Sequence, residues 1–221
     1  MRLPKAYKLI VLIALVLFSK RAVHAQMPWD SPQMLGPGSP AGASFVAVHY
    51  GLDPYSGLGA MLILRTGAAP NGFGIRVSGA RGLGDKINVG GGVDFTHALM
   101  KSSAQFPLDL MLTYGAGASY GEFVEFAVPV GLAGGRVYKS SNTRFRPYTS
   151  ARAILEGRAG RARPNGDVTL ALAIDVGADL TLGRSFTLRS AASFGDRQAV
   201  ALGIHVGGTG RVASAHAAPV R

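Results

Sequence analysis

The feature that most constrains the fold is a strictly alternating stretch, Val168-Thr-Leu-Ala-Leu-Ala-Ile-Asp-Val-Gly-Ala-Asp-Leu-Thr-Leu182. Every even-numbered position in it is apolar, whereas the odd-numbered positions carry Thr, Ala, Asp and Gly. Successive strand side chains point to opposite faces, so the stretch predicts one long, two-faced β-strand. Small residues and isolated acids suit a crowded polar interior better than bulk water. We therefore interpret the stretch as a barrel strand whose apolar face contacts lipid.

The same alternation recurs along the chain, and no stretch keeps a helical period of 3.6 residues. The alternating segments cover residues 43–50, 57–67, 72–82, 86–99, 107–120, 122–137, 145–156, 167–182, 185–194 and 198–207. The breaks between them are rich in Gly, Asn, Asp, Ser and Pro, as hairpin turns require. The pattern predicts an all-β fold, an up-and-down antiparallel transmembrane β-barrel of about ten strands over residues 43–207, with eight strands as the alternative.

Three segments outside the barrel have their own composition. Residues 1–25 combine a basic start, a ten-residue apolar run and small residues before Gln26, which predicts a secretory signal peptide. Residues 26–42 are rich in Pro and Gly and are expected to form a flexible leader, because prolines cannot donate to a strand ladder. Residues 208–221 are expected to be a flexible C-terminal tail.

Charge and cysteine content exclude several function classes. Removing the five basic residues within 1–25 lowers the formal net charge from +11 to +6. An exported chain without a basic-aromatic motif is not expected to bind nucleic acid, whereas anionic lipid headgroups and lipopolysaccharide are suitable partners. The chain has no cysteine, which excludes disulfides, a thiol nucleophile and a lipid anchor on cysteine.

Two observations favour a membrane location over a soluble one. The three lysines that follow residue 25 all lie at predicted turns, and many aromatic residues lie near strand ends, as interfacial girdles require. The alternative is a soluble periplasmic β-barrel or sandwich that binds a small apolar ligand.

With these features the chain resembles small outer-membrane β-barrel proteins of diderm bacteria. The resemblance covers about residues 42–207 and includes the segments Pro147-Tyr148-Thr-Ser-Ala-Arg152 and Ala201-Leu-Gly-Ile-His-Val206. It implies an outer-membrane location, contact with the barrel-assembly and periplasmic chaperone machinery, and no cofactor. It also implies a structural or interaction role or a narrow passive channel, with a lipid-modifying enzyme as a further alternative.

Charged residues recur on the face opposite the apolar one. Projecting the alternation inward predicts a lumen charge network of Arg65, Arg76, Asp94, Asp109, Glu125, Arg152, Asp175, Asp179, Arg189 and His205. Opposite charges in a narrow interior favour a lattice of salt bridges that fills it, because unpaired buried charges are costly. A charge-selective pore is the functional alternative.

Three further interpretations concern chemistry and surface contacts. Ser193, His205 and Asp175 could supply a nucleophile, a base and an orienting acid, although the chain has no Gly-x-Ser-x-Gly elbow. The histidines show no metal-ligand spacing. The connection over residues 157–166 carries Arg158, Arg161 and Arg163 and is predicted to be an outward basic loop, suited to lipopolysaccharide or simply solvated.

Overall fold

The structure of the chain is a computed structural model that describes residues 29–51, 57–66, 71–81, 87–121, 124–160, 163–183 and 185–207. The predicted signal peptide over residues 1–25 and the predicted tail over residues 208–221 lie outside the described residues. No helix in the described ranges is long and apolar enough to cross a bilayer.

Eleven strands follow one another along the described chain. They are β1 (Gly42–Tyr50), β2 (Gly57–Thr66), β3 (Gly72–Arg81), β4 (Ile87–Met100), β5 (Asp109–Tyr120), β6 (Val124–Gly135), β7 (Tyr138–Ser140), β8 (Thr143–Gly160), β9 (Arg163–Leu182), β10 (Phe186–Gly195) and β11 (Ala199–Val206).

The sheet closes on itself through ten of these strands. Leaving β7 aside, each strand pairs antiparallel with the next one along the chain, so β6 pairs with β8. The first strand, β1, also pairs with the last, β11, and this closes the barrel. The remaining strand, β7, is a three-residue extension that pairs only with the start of β8 at the tip of their hairpin. The predicted up-and-down barrel of ten strands is confirmed. We call the rim where β1 begins and β11 ends the terminal rim. The opposite rim, from which the long hairpin of β8 and β9 extends, we call the hairpin rim.

The barrel has an apolar outside and a polar inside. Every barrel strand exposes large apolar side chains outward, with Leu58 and Leu202 as examples at 68% and 66% exposure. Inward charged side chains are buried instead, among them Arg76 at 2% and Asp175 at 0% exposure. A soluble protein rarely exposes an apolar surface on all sides, whereas a barrel in lipid requires one. This polarity excludes the soluble alternative and gives the protein an outer-membrane location.

Aromatic side chains border the apolar exterior at both rims. Outward aromatics lie near the terminal rim at Tyr138, Phe145 and Phe186 and near the hairpin rim at Tyr120, Phe126 and Phe194. Aromatic rings at these positions suit the two membrane–water interfaces, where outer-membrane barrels carry aromatic girdles. Two aromatics near strand ends, Tyr50 and Tyr148, instead point into the lumen, where they are 6% and 5% exposed.

The hairpin of β8 and β9 corrects the predicted loop over residues 157–166. The ladder continues through that region, with Arg158 opposite Asp167 and Gly160 opposite Arg163. β9 pairs with β10 only from Ala173 onward. Its amino-terminal part, before Ala173, pairs with β8 alone. Pro164 is tolerated there because a strand with a free edge needs fewer backbone donors. The alternation of apolar residues ends where the hairpin leaves the lipid. Backbone hydrogen bonding does not require that alternation, so the strand pairing continues beyond it.

The Pro/Gly-rich segment over residues 26–42 is the second correction. The prediction of a flexible leader is wrong for its described part, because Trp29 through Pro37 are buried inside the barrel. The prolines do prevent a ladder, but backbone carbonyls outside a ladder can accept hydrogen bonds from wall side chains. We call residues 29–38 the plug segment.

The polarity of the barrel predicts the cost of an outward charge. Leu202→Arg, in the middle of β11, should lower the free energy of unfolding by about 2–4 kcal/mol, as an arginine near the bilayer midplane does. Val168→Arg is the control. Counting about 11 membrane-crossing residues back from Leu182 leaves Val168 near the membrane interface, where the same change costs about 0–1 kcal/mol.

The measurement is urea unfolding of the protein folded in phospholipid vesicles. Equal losses for the two variants would contradict a lipid-facing β11.

Candidate functional site

The lumen holds many buried charged side chains, and most of them form three clusters along its wall. In the first, Asp94 of β4 bridges two arginines. Its Oδ1 accepts hydrogen bonds from Arg65 Nη1 at 2.9 Å and Nη2 at 2.5 Å, and its Oδ2 accepts one from Arg76 Nε at 2.7 Å. Because β2, β3 and β4 are consecutive, inward residues at one level of these strands are brought together.

The second cluster surrounds Asp175 of β9. Arg152 of β8 donates from Nε to Asp175 Oδ2 at 2.6 Å and from Nη2 to Oδ1 at 3.1 Å. Ser150 Oγ donates to Oδ2 at 2.9 Å, and Ser193 Oγ donates to Oδ1. All four side chains are buried, so this carboxylate has its charge balanced and its lone pairs occupied.

The third cluster lies closer to the terminal rim. Arg189 of β10 donates from Nε to Asp179 Oδ1 at 2.9 Å and from Nη1 to Ser44 Oγ at 3.1 Å. Ser44 Oγ is 3.0 Å from His205 Nδ1. Arg146 of β8 extends this cluster, because its Nη2 donates to Thr181 Oγ1 at 2.5 Å.

Two further ion pairs lie near the hairpin rim. Arg158 Nε is 2.6 Å from Glu125 Oε1, and Arg197 Nη2 is 2.7 Å from Glu156 Oε1. The side chain of Arg158 keeps 19% exposure, whereas its partner is nearly fully buried. Among the three residues of the predicted basic loop, Arg158 therefore belongs to the lumen wall. Arg161 and the side chain of Arg163 lie outside the described residues.

Nine of the ten residues proposed for the lumen network are buried inside the barrel in these clusters and pairs. They are Arg65, Arg76, Asp94, Glu125, Arg152, Asp175, Asp179, Arg189 and His205. The structure does not bring Asp109 to them. Asp109 begins β5 at the terminal rim, is half-buried, and accepts a hydrogen bond from the backbone N–H of Ser102 at 2.6 Å. Because Asp109 is the first residue of its strand, its carboxylate lies beside the preceding connection, and the backbone N–H of Ser102 there is its donor.

Among the described residues, the predicted network missed three charged residues of the lumen wall, Arg146, Glu156 and Arg197, and Asp30 of the plug segment. Arg146 and Glu156 share the even parity of Arg152 on β8, so the alternation that identified Arg152 could have found both. Arg197 lies in the turn between β10 and β11, where no strand parity applies, and carries no such signal.

The plug segment is held in the lumen by wall arginines. Arg76 Nη2 donates to the Gln33 carbonyl at 2.5 Å, and Arg189 Nη2 donates to the Met34 carbonyl at 2.6 Å. Arg146 Nη1 donates to the Gly38 carbonyl at 2.5 Å, and Arg152 Nη1 donates to Asp30 Oδ1 at 2.8 Å. Each of these arginines also donates from at least one other nitrogen to a side chain of the wall. The plug segment thus supplies acceptors that the wall itself lacks.

Apolar side chains of the plug segment fill the space between the arginines. Met34 packs in a buried cluster with Val46, Val48, Met61 and Ile63 among others, and Leu35 packs with Met111 and Ala133. Gly36 lies so close to the Tyr148 ring that an added Cβ would be 2.5 Å from its Cγ. Polar and apolar contacts together close the lumen along residues 29–38.

The indole of Trp29 lies against three inward glycines. An added Cβ would be 2.6 Å from the indole at Gly92 of β4 and at Gly117 of β5, and 3.2 Å from it at Gly90. The ring also packs in a buried cluster with Ala127, Ile154, Ala171 and Ala173. Only residues without large side chains leave this flat space, which we call the glycine slot (Gly90, Gly92 and Gly117).

The proposed catalytic set is not assembled. Ser193 and Asp175 are hydrogen-bonded to each other, but His205 contacts Ser44 instead. The described ranges contain no group of three His, Asp or Glu side chains placed to hold a metal ion.

Among solved structures, the chain is similar to one that is described as a KdgM porin. It is 11% identical to this chain, covers 74% of this chain and 98% of its own length, and has a TM-score of 0.34. No protein-family model and no curated protein matches the chain. The closed antiparallel barrel, its apolar exterior and its polar interior are those of an outer-membrane β-barrel protein.

The salt-bridge clusters predict a large loss of stability when a buried carboxylate is removed. Asp175→Ala leaves the Arg152 guanidinium with only Asp30 as a charged partner and should lower the free energy of unfolding by about 3–5 kcal/mol. Asp109→Ala, at the rim, is the matched control and should cost about 1 kcal/mol or less. Urea unfolding in vesicles measures both, and a mild effect of Asp175→Ala would mean that water solvates Arg152.

The glycine slot predicts a fluorescence change for an added methyl group. Gly92→Ala requires the Trp29 ring to move, so its emission should shift to longer wavelength and its quenching by acrylamide should increase. Trp29 is the only tryptophan of the chain, so the signal has one source. Gly79→Ala is the control, because its Cβ would find no atom closer than 4.0 Å. Unchanged quenching in Gly92→Ala would contradict the placement of Trp29.

Proposed function

We propose that this protein is a narrow passive channel of the outer membrane and that the plug segment keeps it closed. The observation that carries the proposal is the way the plug segment is attached. Residues 29–38 form no strand pairing with the wall, and side-chain hydrogen bonds to four arginines hold them instead. A segment held in this manner can leave the lumen without breaking the barrel ladder.

The charge of the wall favours anions as permeant solutes. When the plug segment leaves, it takes the Asp30 carboxylate and the three backbone carbonyls with it. Among the described residues, the charged side chains of the lumen clusters and ion pairs that remain are Arg65, Arg76, Arg146, Arg152, Arg158, Arg189 and Arg197 against Asp94, Glu125, Glu156, Asp175 and Asp179. Arginines in excess over acids attract anions and repel cations in a water-filled pore.

The same proposal gives the protein no enzymatic role and orients it in the membrane. An even number of barrel strands keeps both ends of the barrel chain at one rim, which we assign to the periplasm. The hairpin rim then faces outward, toward lipopolysaccharide. A structural or interaction role is the second candidate, because the lumen is filled in the closed state and its salt bridges would stabilise a permanently closed barrel.

A reversible crosslink separates the two candidates. Leu35→Cys with Ala133→Cys joins the plug segment to β6, at a contact inside a buried cluster, in a chain that has no other cysteine. In planar bilayers the oxidised protein should show no conductance steps, and reduction should restore the steps of the wild type. Their reversal potential in a KCl gradient should indicate anion preference.

The single variant Leu35→Cys, which cannot form the crosslink, is the control and should be insensitive to oxidation. Steps that persist in the oxidised double variant would mean that the plug segment is not the gate. Absence of steps in the wild type and in every reduced form would favour the structural role.

A further inference from the structure

Two neighbouring side chains of the plug segment occupy a site that the lumen wall has formed for them. Trp29 lies in the glycine slot, and Asp30 is paired with Arg152. Both side chains are almost completely buried, at 1% exposure each. The shape and charge of this site belong to the wall and therefore persist when the plug segment leaves.

The apolar half of the site is flat. Gly90, Gly92 and Gly117 form one side, and the small or aliphatic side chains Ala127, Ile154, Ala171 and Ala173 border the ring elsewhere. The indole Nε1 has no hydrogen-bond partner among the described residues. The slot therefore selects for a planar ring by shape and makes no demand for an N–H group.

The charged half of the site is preorganised. Arg152 lies two residues before Ile154 on the same inward face of β8, a separation of roughly 7 Å along the strand. Its Nε and Nη2 are fixed by Asp175, and its Nη1 remains for a further oxygen, which Asp30 supplies in the closed state. A guanidinium held in this way can donate from Nη1 to a carboxylate oxygen without reorganising.

We propose that the lumen carries a binding site for a small planar aromatic carboxylate, and that Trp29 and Asp30 occupy this site as an internal substitute in the closed state. The inference rests on the proposed function in one respect, since a solute reaches the site only when the plug segment leaves the lumen. Aromatic carboxylates would then be the anions that the channel binds during passage or that compete with its plug segment.

Each half of the site is needed for recognition. An uncharged ring would fill the slot but leave Arg152 Nη1 buried without its oxygen, which is costly in a closed lumen. A carboxylate without a ring would pair with Arg152 but leave the apolar slot empty, and an unfilled apolar space forfeits its packing contacts. A ligand that combines the two replaces both groups of the plug segment.

The test uses the full chain with Trp29→Ala and Asp30→Ala together, which vacates the site. This variant has no tryptophan, so the fluorescence of the probe indole-3-acetate is observed without background. Titration of the folded protein in detergent should give saturable binding, with a blue shift and a raised anisotropy of the probe. Indole alone and acetate alone, each as a competitor, should bind at least about tenfold more weakly, because each fills one half of the site.

Two added methyl groups provide the matched control. Gly92→Ala on this background places a Cβ inside the slot and should abolish binding, whereas Gly79→Ala adds the same methyl group to a strand with no atom closer than 4.0 Å and should leave binding unchanged. Binding that is absent from the vacated variant, or equal with and without Gly92→Ala, would overturn the proposal. Faster gel migration before boiling shows that each variant is folded.

If the double variant does not fold, Trp29→Ala alone keeps the Asp30–Arg152 pair and vacates only the slot. Indole should then bind, and Gly92→Ala should abolish that binding; indole that fails to bind would overturn the slot. These measurements need no conductance. Binding without channel activity would contradict the proposed channel function and support the binding site. Channel activity without binding would contradict the binding site and support the channel function.

Discussion

The rest of this structure depends on the need of buried guanidinium groups for acceptor oxygens. Arginines from β3, β8 and β10 point into a lumen that is closed to water, where an unpartnered donor costs about 1–3 kcal/mol and more when it is charged. Wall carboxylates satisfy part of each group, as Asp94 does for Arg76 and Asp179 does for Arg189. A further nitrogen of each of these arginines takes an oxygen of the plug segment, so the plug segment supplies acceptors that the wall lacks.

The plug segment can play this part because it has no regular structure of its own. In a strand or helix its carbonyls would be used in backbone hydrogen bonds, whereas Pro32 and Pro37 prevent such a structure and leave the carbonyls free to accept from arginines. The closed lumen is then maintained by side-chain hydrogen bonds and by the packing of Met34 and Leu35. Such contacts can be exchanged for water or for a solute one at a time, which a strand added to the sheet could not do.

The two faces of the wall place different demands on the size of their side chains. Gly90, Gly92 and Gly117 point inward and leave the flat space that Trp29 fills, so their small size is a matter of ligand shape. The outer face carries the large apolar side chains that contact lipid, and there the surrounding bilayer supplies the packing. The inner face is therefore specific in shape, and the outer face needs only to be apolar along the length of the barrel.

The sequence by itself determined the strands, their two faces and the membrane location, because a period of two is a local property that each strand carries independently of its neighbours. It also put Arg152 and Asp175 on inward faces, since parity alone decides that. The pairing of Asp30 with Arg152 came only from the tertiary structure. These residues lie 122 positions apart, and nothing periodic marks the plug segment. Its order depends on donors that converge only after ten strands have closed into a barrel, and no local pattern in residues 29–38 records where those donors will be.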